Sequence, residues 1–338
     1  MSRTTPSRPV DIERLFPELA AHRRTTTRLH PRPGAPGHHD SSVGGPLLWP
    51  AAEPWPVCTE RHRRGYGERT ADVRLSRRIL DEAWSRVPAP GRRPGPTDEE
   101  GDVLRSFKRA RHAPSLGDTD PLPLLALAQL FRRDVPDLGG PADLDLLQIL
   151  WCPFDAHHGR HEPAVELRRR RSVEVGEVLA DQPEPEVVGS EGYVPAPCLL
   201  DPEQVVEHPD IGLLPPDVRQ RIDAWEGDED DLDEDAVLYR SDLSVAPGWK
   251  AGGFASWNAT DHVDLRCPCG ARTDLLMTVA SQEWDGGNHS WIPQEDRATA
   301  NVMGANVPTR ITVGRWGSMN IFVCRADLTH PPQIGFQG

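Results

Sequence analysis

Apolar positions recur at helical spacing over residues 10–23, where Ile12, Leu15, Phe16, Leu19 and Ala20 share a stripe, so an amphipathic first helix is predicted on the outside of a core. The turn-rich HPRPGAPGHHDSS follows it. Four later runs are rich in β-branched or aromatic residues and bounded by turn residues: LLQILW (146–151), AVLYRSDLSV (236–245), ITVG (311–314) and NIFVC (320–324). Each predicts a strand. A helix is predicted over 216–226, with Pro216 at its first position, Val218, Ile222 and Trp225 on one stripe, and Gly227 ending it. Residues 61–119 are charged and carry two short helical patterns, around Ile79–Trp84 and Val103–Phe107, separated by VPAPGRRPGP. They read as a partly mobile insertion into a mainly β core.

The two parts of the chain echo one another. Gly44-Gly45 is followed four residues on by Trp49, and Gly252-Gly253 by Trp257 at the same spacing. Gly286-Gly287 and Trp291 repeat that spacing without the rest of the pattern. After Trp49 come Cys58, the apolar LLALAQL and LLQILWCPFD; after Trp257 come CPC, LLMTVAS and SMNIFVCRAD. Gln148 and Asn320 each precede a cysteine by four residues, Cys152 and Cys324, and an aspartate follows each cysteine by three, Asp155 and Asp327. This order predicts a tandem duplication in which each sheet buries an incomplete apolar face against its twin. The expected fold is α+β, mainly β, with peripheral helices. Residues 1–60 and 120–190 form the first half and 191–338 the second, in one body.

The blocks DSSVGGPLLWPAAEPWPVC, LAQLFRRDVPDL, LLQILWCPFD, SDLSVAPGWKAGGF and LLMTVASQEWDGG resemble the YwqG-like family. The resemblance runs from about residue 10 to 60 and from 121 to the C-terminus, with no counterpart for 61–119. It implies a duplicated β-rich fold distantly related to the programmed-cell-death-2 proteins, and peptide or protein binding in a chaperone-like or immunity-like role. Similar sequences often carry Gly-Tyr-Pro after the second glycine pair and a terminal Cys-x-x-Cys; here these read Gly253-Phe254-Ala255 and Cys324-x-x-Asp327.

Composition narrows the partners. A net charge of −14 over 338 residues disfavours nucleic acid and anionic membranes, which need a basic face. The run Asp228–Asp235 is a solvated linker that would attract a basic client if it acts at all. No apolar run reaches the length of a membrane span, and six cysteines fit thiols in a reducing compartment, so a cytoplasmic monomer is expected.

Among chemical signals, Cys267-Pro-Cys269-Gly places two thiols in a glycine turn, and Cys324 with His330 or Asp327 would complete a tetrahedral zinc set. The competing reading is ordinary thiols and no cofactor. Cys58 with His62, and Cys152 with Asp155, His157 and His158, would be a degenerate first-half version, although a solvated histidine cluster is the plainer reading. The sequence lacks a Gly-x-Ser-x-Gly elbow, a Walker A loop and a His-Glu-x-x-His helix. A non-catalytic protein binder is therefore expected, with Trp49, Trp55 and Trp257 as its aromatic anchor. The rival is a metal- or thiol-dependent enzyme using Cys267, Cys269 and Cys324.

Overall fold

The computed structural model describes residues 2–87, 94–109, 117–155, 157, 161–227, 233 and 236–338. Among these the chain is α+β and rich in β, with two six-stranded and two two-stranded antiparallel sheets. The first large sheet runs in spatial order Pro31–Pro33, Cys198–Leu200, Ser42–Val43, Leu125–Phe131, Leu146–Trp151, Val165–Arg170. The second runs Glu203–Glu207, Arg24–Arg28, Lys250–Gly252, Thr273–Ala280, Ser318–Cys324, Gln333–Gln337. The halves do not divide at residue 190 as the sequence pattern suggests. Arg24–Arg28 pairs with Glu203–Glu207 and Lys250–Gly252 in the second sheet, whereas Cys198–Leu200 pairs with strands of the first.

The inner strands of the two sheets run in matching register. Ser42 and Val43 pair with Gln129 and Ala128, as Lys250 and Ala251 pair with Thr278 and Met277. The next strand has an irregularity at Ala126/Ala128 in one sheet and at Leu275/Met277 in the other. Beyond it, Gln129 faces Gln148 and Thr278 faces Asn320. Both pairs are buried and hydrogen-bonded side chain to side chain, at 2.9 and 2.7 Å. The glycine pairs leave equivalent strands. Gly44 has φ +62° and Gly252 and Gly253 have +73° and +71°, a conformation open to glycine. Gly286 and Gly287 do not share it and lie in an open turn.

One cluster of buried residues draws on both sheets: Val43, Leu127, Leu147, Ile149 and Trp151 from the first, Ala251, Met277, Val279, Met319 and Ile321 from the second. The sheets therefore share an interior. On the opposite face of the first sheet, Leu47, Trp49, Leu150 and Cys152 form a separate cluster with Cys58 and Leu122. On that of the second, Trp257 packs on Ala255 and Phe322.

Two expected strands are absent. Residues 236–245 form instead a wide helical turn, Tyr239–Ser244, because Asp242 accepts the Leu238 amide at 2.9 Å while Tyr239 and Leu243 turn inward onto Ile12, Phe16 and Leu19. Residues 311–314 are irregular: Ile311 and Val313 are buried, but the Val313 amide is satisfied by the Ser281 hydroxyl rather than by a ladder. The first helix is cut by Pro17 into Ile12–Leu15 and the 3-10 turn Pro17–Ala21, and its stripe still buries Ile12, Phe16 and Leu19. The helix Pro216–Glu226 forms over the expected residues. In 61–119, helices run Thr70–Ser85 and Asp98–Arg109, and Glu68–Arg69 pairs with Val187–Val188. No described helix is long and apolar enough to cross a membrane.

Candidate metal centres

Cys58 lies far from Cys152 in sequence, yet Val57–Cys58 pairs with Leu122–Pro123, which leads directly into the strand beside Leu146–Trp151. That strand delivers Cys152 at its end. His62 follows one turn after Cys58, and His157 returns from the loop after Cys152. All four are buried, and their ligand atoms lie within 4.8 Å of one another. Nε2 of His62 is 3.3 Å from Cys58 Sγ and 3.4 Å from Cys152 Sγ; Nε2 of His157 is 3.5 Å from Cys58 Sγ. The solvated histidine cluster expected here is thus corrected: His62 and His157 are buried, and Phe154 stacks on His62 at 4.7 Å. Asp155 takes no part, accepting the Tyr193 hydroxyl instead. His158 lies outside the described residues.

The second sheet builds the same arrangement from Cys267, Cys269, Cys324 and His330, the four residues singled out from the sequence. The Cys267 amide bonds the Ala271 carbonyl, turning the chain back so that Thr273–Ala280 carries it to the strand ending in Cys324. Cys267 Sγ is 3.3 Å from His330 Nδ1, and Cys269 Sγ is 3.6 Å from Cys324 Sγ. Cys269 alone among the eight ligands is exposed. The bridge between Arg266 and Arg272 encloses only residues 267–271, whereas the pairing of Val57–Cys58 with Leu122–Pro123 encloses the whole stretch between Cys58 and Leu122. The sequence signals for the first site were the Cys-x3-His spacing of Cys58 and His62 and the histidines that follow Cys152.

The separations fit a metal. A tetrahedral Zn²⁺, with bonds of about 2.3 Å to sulfur and about 2.0–2.1 Å to nitrogen, holds sulfur and nitrogen about 3.5 Å apart and two sulfurs about 3.8 Å apart. Backbone amides also favour thiolates. Those of Glu60, Phe154 and Cys269 donate to Cys58, Cys152 and Cys267, each two residues on, and those of Ala326 and Asp327 donate to Cys324. Cys58 and Cys152 share a hydrogen bond that depresses the first thiol and raises the second. At Cys324 burial pushes the thiol up, but hydrogen bonds from His330 and the backbone outweigh it and bring it down to about 6. His157 Nδ1 donates to the Glu162 carbonyl at 2.8 Å, which leaves the Nε2 lone pair facing the sulfurs. The Nε2 of His330 lies 3.7 Å from the Asp327 carboxylate.

A cleft of about 370 Å³ is bordered by Cys58, His157 and His330 together, so both sets back onto one space beside the edge strand Val165–Arg170.

The tryptophans expected to anchor a partner are placed differently. Trp49 has no exposed surface: its ring lies 5.1 Å from that of Trp55 and under Arg170, and Nε1 donates to the Glu53 carbonyl. Residues 177–184 lie across this face, the Leu179 amide on the Trp49 carbonyl. Trp55 is half-buried with Nε1 on the Leu124 carbonyl. Trp257 is 6% exposed, stacked on Phe322, and borders a cavity of about 430 Å³.

No protein-family model matches the chain, and no curated protein is significantly similar to it.

Proposed function

We propose that the chain is a non-catalytic peptide- or protein-binding protein whose two sheets are each locked by a structural Zn²⁺, one held by Cys58, His62, Cys152 and His157, the other by Cys267, Cys269, Cys324 and His330. The observation that carries this reading is that both sets supply four ligands. A catalytic zinc keeps a position for water or substrate, whereas a closed four-ligand set is a cross-link. Zn²⁺ supplies charge compensation and rigid tetrahedral geometry there. The protein's own part is to hold the thiolates through backbone amides and to fix the tautomer of His157 through Glu162.

The resemblance to the YwqG-like family points the same way, and the matching registers of the inner strands support an internal duplication behind it. The reading as a metal- or thiol-dependent enzyme through Cys267, Cys269 and Cys324 is less well supported, since His330 completes that set. Metal content tests the proposal. Purified protein is expected to hold two zinc ions per chain, and Cys58→Ser/Cys152→Ser or Cys267→Ser/Cys324→Ser one each. Zinc below one equivalent in the parent protein, or unchanged in both variants, overturns it.

A further inference from the structure

The face of the first sheet that residues 177–184 cover has a counterpart on the second, where His262 and Leu265 pack beside Trp257 and leave a wider cavity. In the first sheet, residues 177–184 (EVLADQPE) lie across the segment after the glycine pair. The Leu179 amide donates to the Trp49 carbonyl and the Ala51 amide to the Glu177 carbonyl, both at 2.8 Å. Gln182 bonds both the amide and the carbonyl of Leu47, at 2.9 and 2.6 Å. Val178 and Leu179 pack against the sheet. The cavity left beside Gly44, Gly45 and Ala126 is about 240 Å³.

By the register, Leu47, Trp49 and Ala126 correspond to Ala255, Trp257 and Leu275. There the cavity is about 430 Å³, floored by Phe254, Trp257, Leu275 and Phe322. Among the described residues, no hydrogen bond closes on the backbone of Ala255 or on the Trp257 carbonyl. The Ala259 amide is held by the Gln337 side chain at 3.1 Å. The rim carries Arg24, Arg272 and Arg325 with Asp264 and Asp274. Arg325 is paired with Asp274, and Arg266 with Asp264, so Arg24 and Arg272 set the local sign. This is opposite to the basic client expected from 228–235, of which only Asp233 is described.

We infer that this cavity binds an extended partner peptide of acidic and apolar character, of the kind residues 177–184 present to the first sheet. It would pair with the Ala255 backbone and the Trp257 carbonyl, the Trp257 amide being held by Asp210 at 3.0 Å, seat a bulky apolar side chain on the aromatic floor, and place carboxylates against Arg24 and Arg272. The inference rests on the peptide-binding reading above and gives it a site and a ligand class.

The test titrates the full-length, zinc-replete protein with the free peptide EVLADQPE and with its lysine counterpart KVLAKQPK, at low and high salt, following tryptophan emission and calorimetry. The expected result is saturable binding of the acidic peptide, at least tenfold weaker for the lysine peptide, weakened by salt, and reduced at least tenfold in Arg24→Glu/Arg272→Glu. Leu265→Glu, at the rim, checks the site without the arginines and should lower affinity similarly; zinc content and near-ultraviolet dichroism confirm that both variants are folded. Acidic-peptide binding indifferent to all three substitutions, or preference for the lysine peptide, overturns this site while leaving peptide binding intact. No saturable binding of either peptide overturns both.

Discussion

At the residue scale, identical local sequence does different work according to what surrounds it. A Cβ on Gly253 would lie 2.2 Å from Glu207 Oε2, at φ +71°, beside the carboxylate that also accepts the Lys250 ammonium and the Ala246 and Phe254 amides. Gly286 has open space and no positive φ. Gly253→Ala should therefore cost about 2 kcal/mol or more, and Gly286→Ala stay within about 0.5 kcal/mol, by thermal unfolding. The buried Lys250–Glu207 pair adds a sharper case: Glu207→Gln strands an ammonium in the interior and should cost about 3–5 kcal/mol.

Trp49 supplies a pH prediction. Arg170 lies over its ring and pairs with Glu53, and that hydrogen bond holds the Glu53 carboxyl below its ordinary value. A carboxyl depressed in the folded state stabilises fully above its unfolded pKa, near 4.3, and the contribution fades as pH falls through the folded value. The pair is partly exposed, so the effect is about 0.5 kcal/mol. Glu53→Gln should lower the melting temperature at pH 7 by a degree or two and lose that difference towards pH 3; an equal difference at both would contradict the assignment.

At the element scale, the legible parts were those fixed by local pattern. LLQILW reads as a strand because all of Leu146–Trp151 is buried. Pro216 and Gly227 mark their helix because each suits its end. The partners Leu125–Phe131 and Thr273–Ala280 read only as apolar stretches, since leucine and alanine carry little β preference and pairing on both sides decides them. The opposite failure occurred at 236–245, where a strand-like composition lost to the Asp242 side chain and to the inward turn of Tyr239. The second metal set was readable because its two turn cysteines, Cys267 and Cys269, are one residue apart. The first set was named only as the lesser alternative to a solvated histidine cluster, because the approach of Cys58 to Cys152 and the burial of His62 and His157 depend on Phe154 and on strands distant in sequence.

At the scale of the whole molecule, the strand exchange between sheets, with Arg24–Arg28 in the second and Cys198–Leu200 in the first, ties both to one interior. A structural zinc ion in a small peptide contributes about 10–16 kcal/mol of apparent binding energy, comparable with the net stability of a domain. Loss of either ion should therefore be felt across the shared core. The exposure of Cys269 against the full burial of the first set orders the losses: a chelator should strip the Cys267 set at least tenfold faster than the Cys58 set, read as two phases of zinc release with the faster absent in Cys267→Ser/Cys324→Ser.

The most direct test of two closed centres is zinc K-edge absorption on the purified chain. Two ions sharing five cysteine sulfurs and three histidine nitrogens should average 2.5 sulfurs at about 2.3 Å and 1.5 nitrogens at about 2.0–2.1 Å, four-coordinate throughout. An oxygen ligand from bound water, five-coordination, or a sulfur count near one would show an open site and contradict the structural assignment.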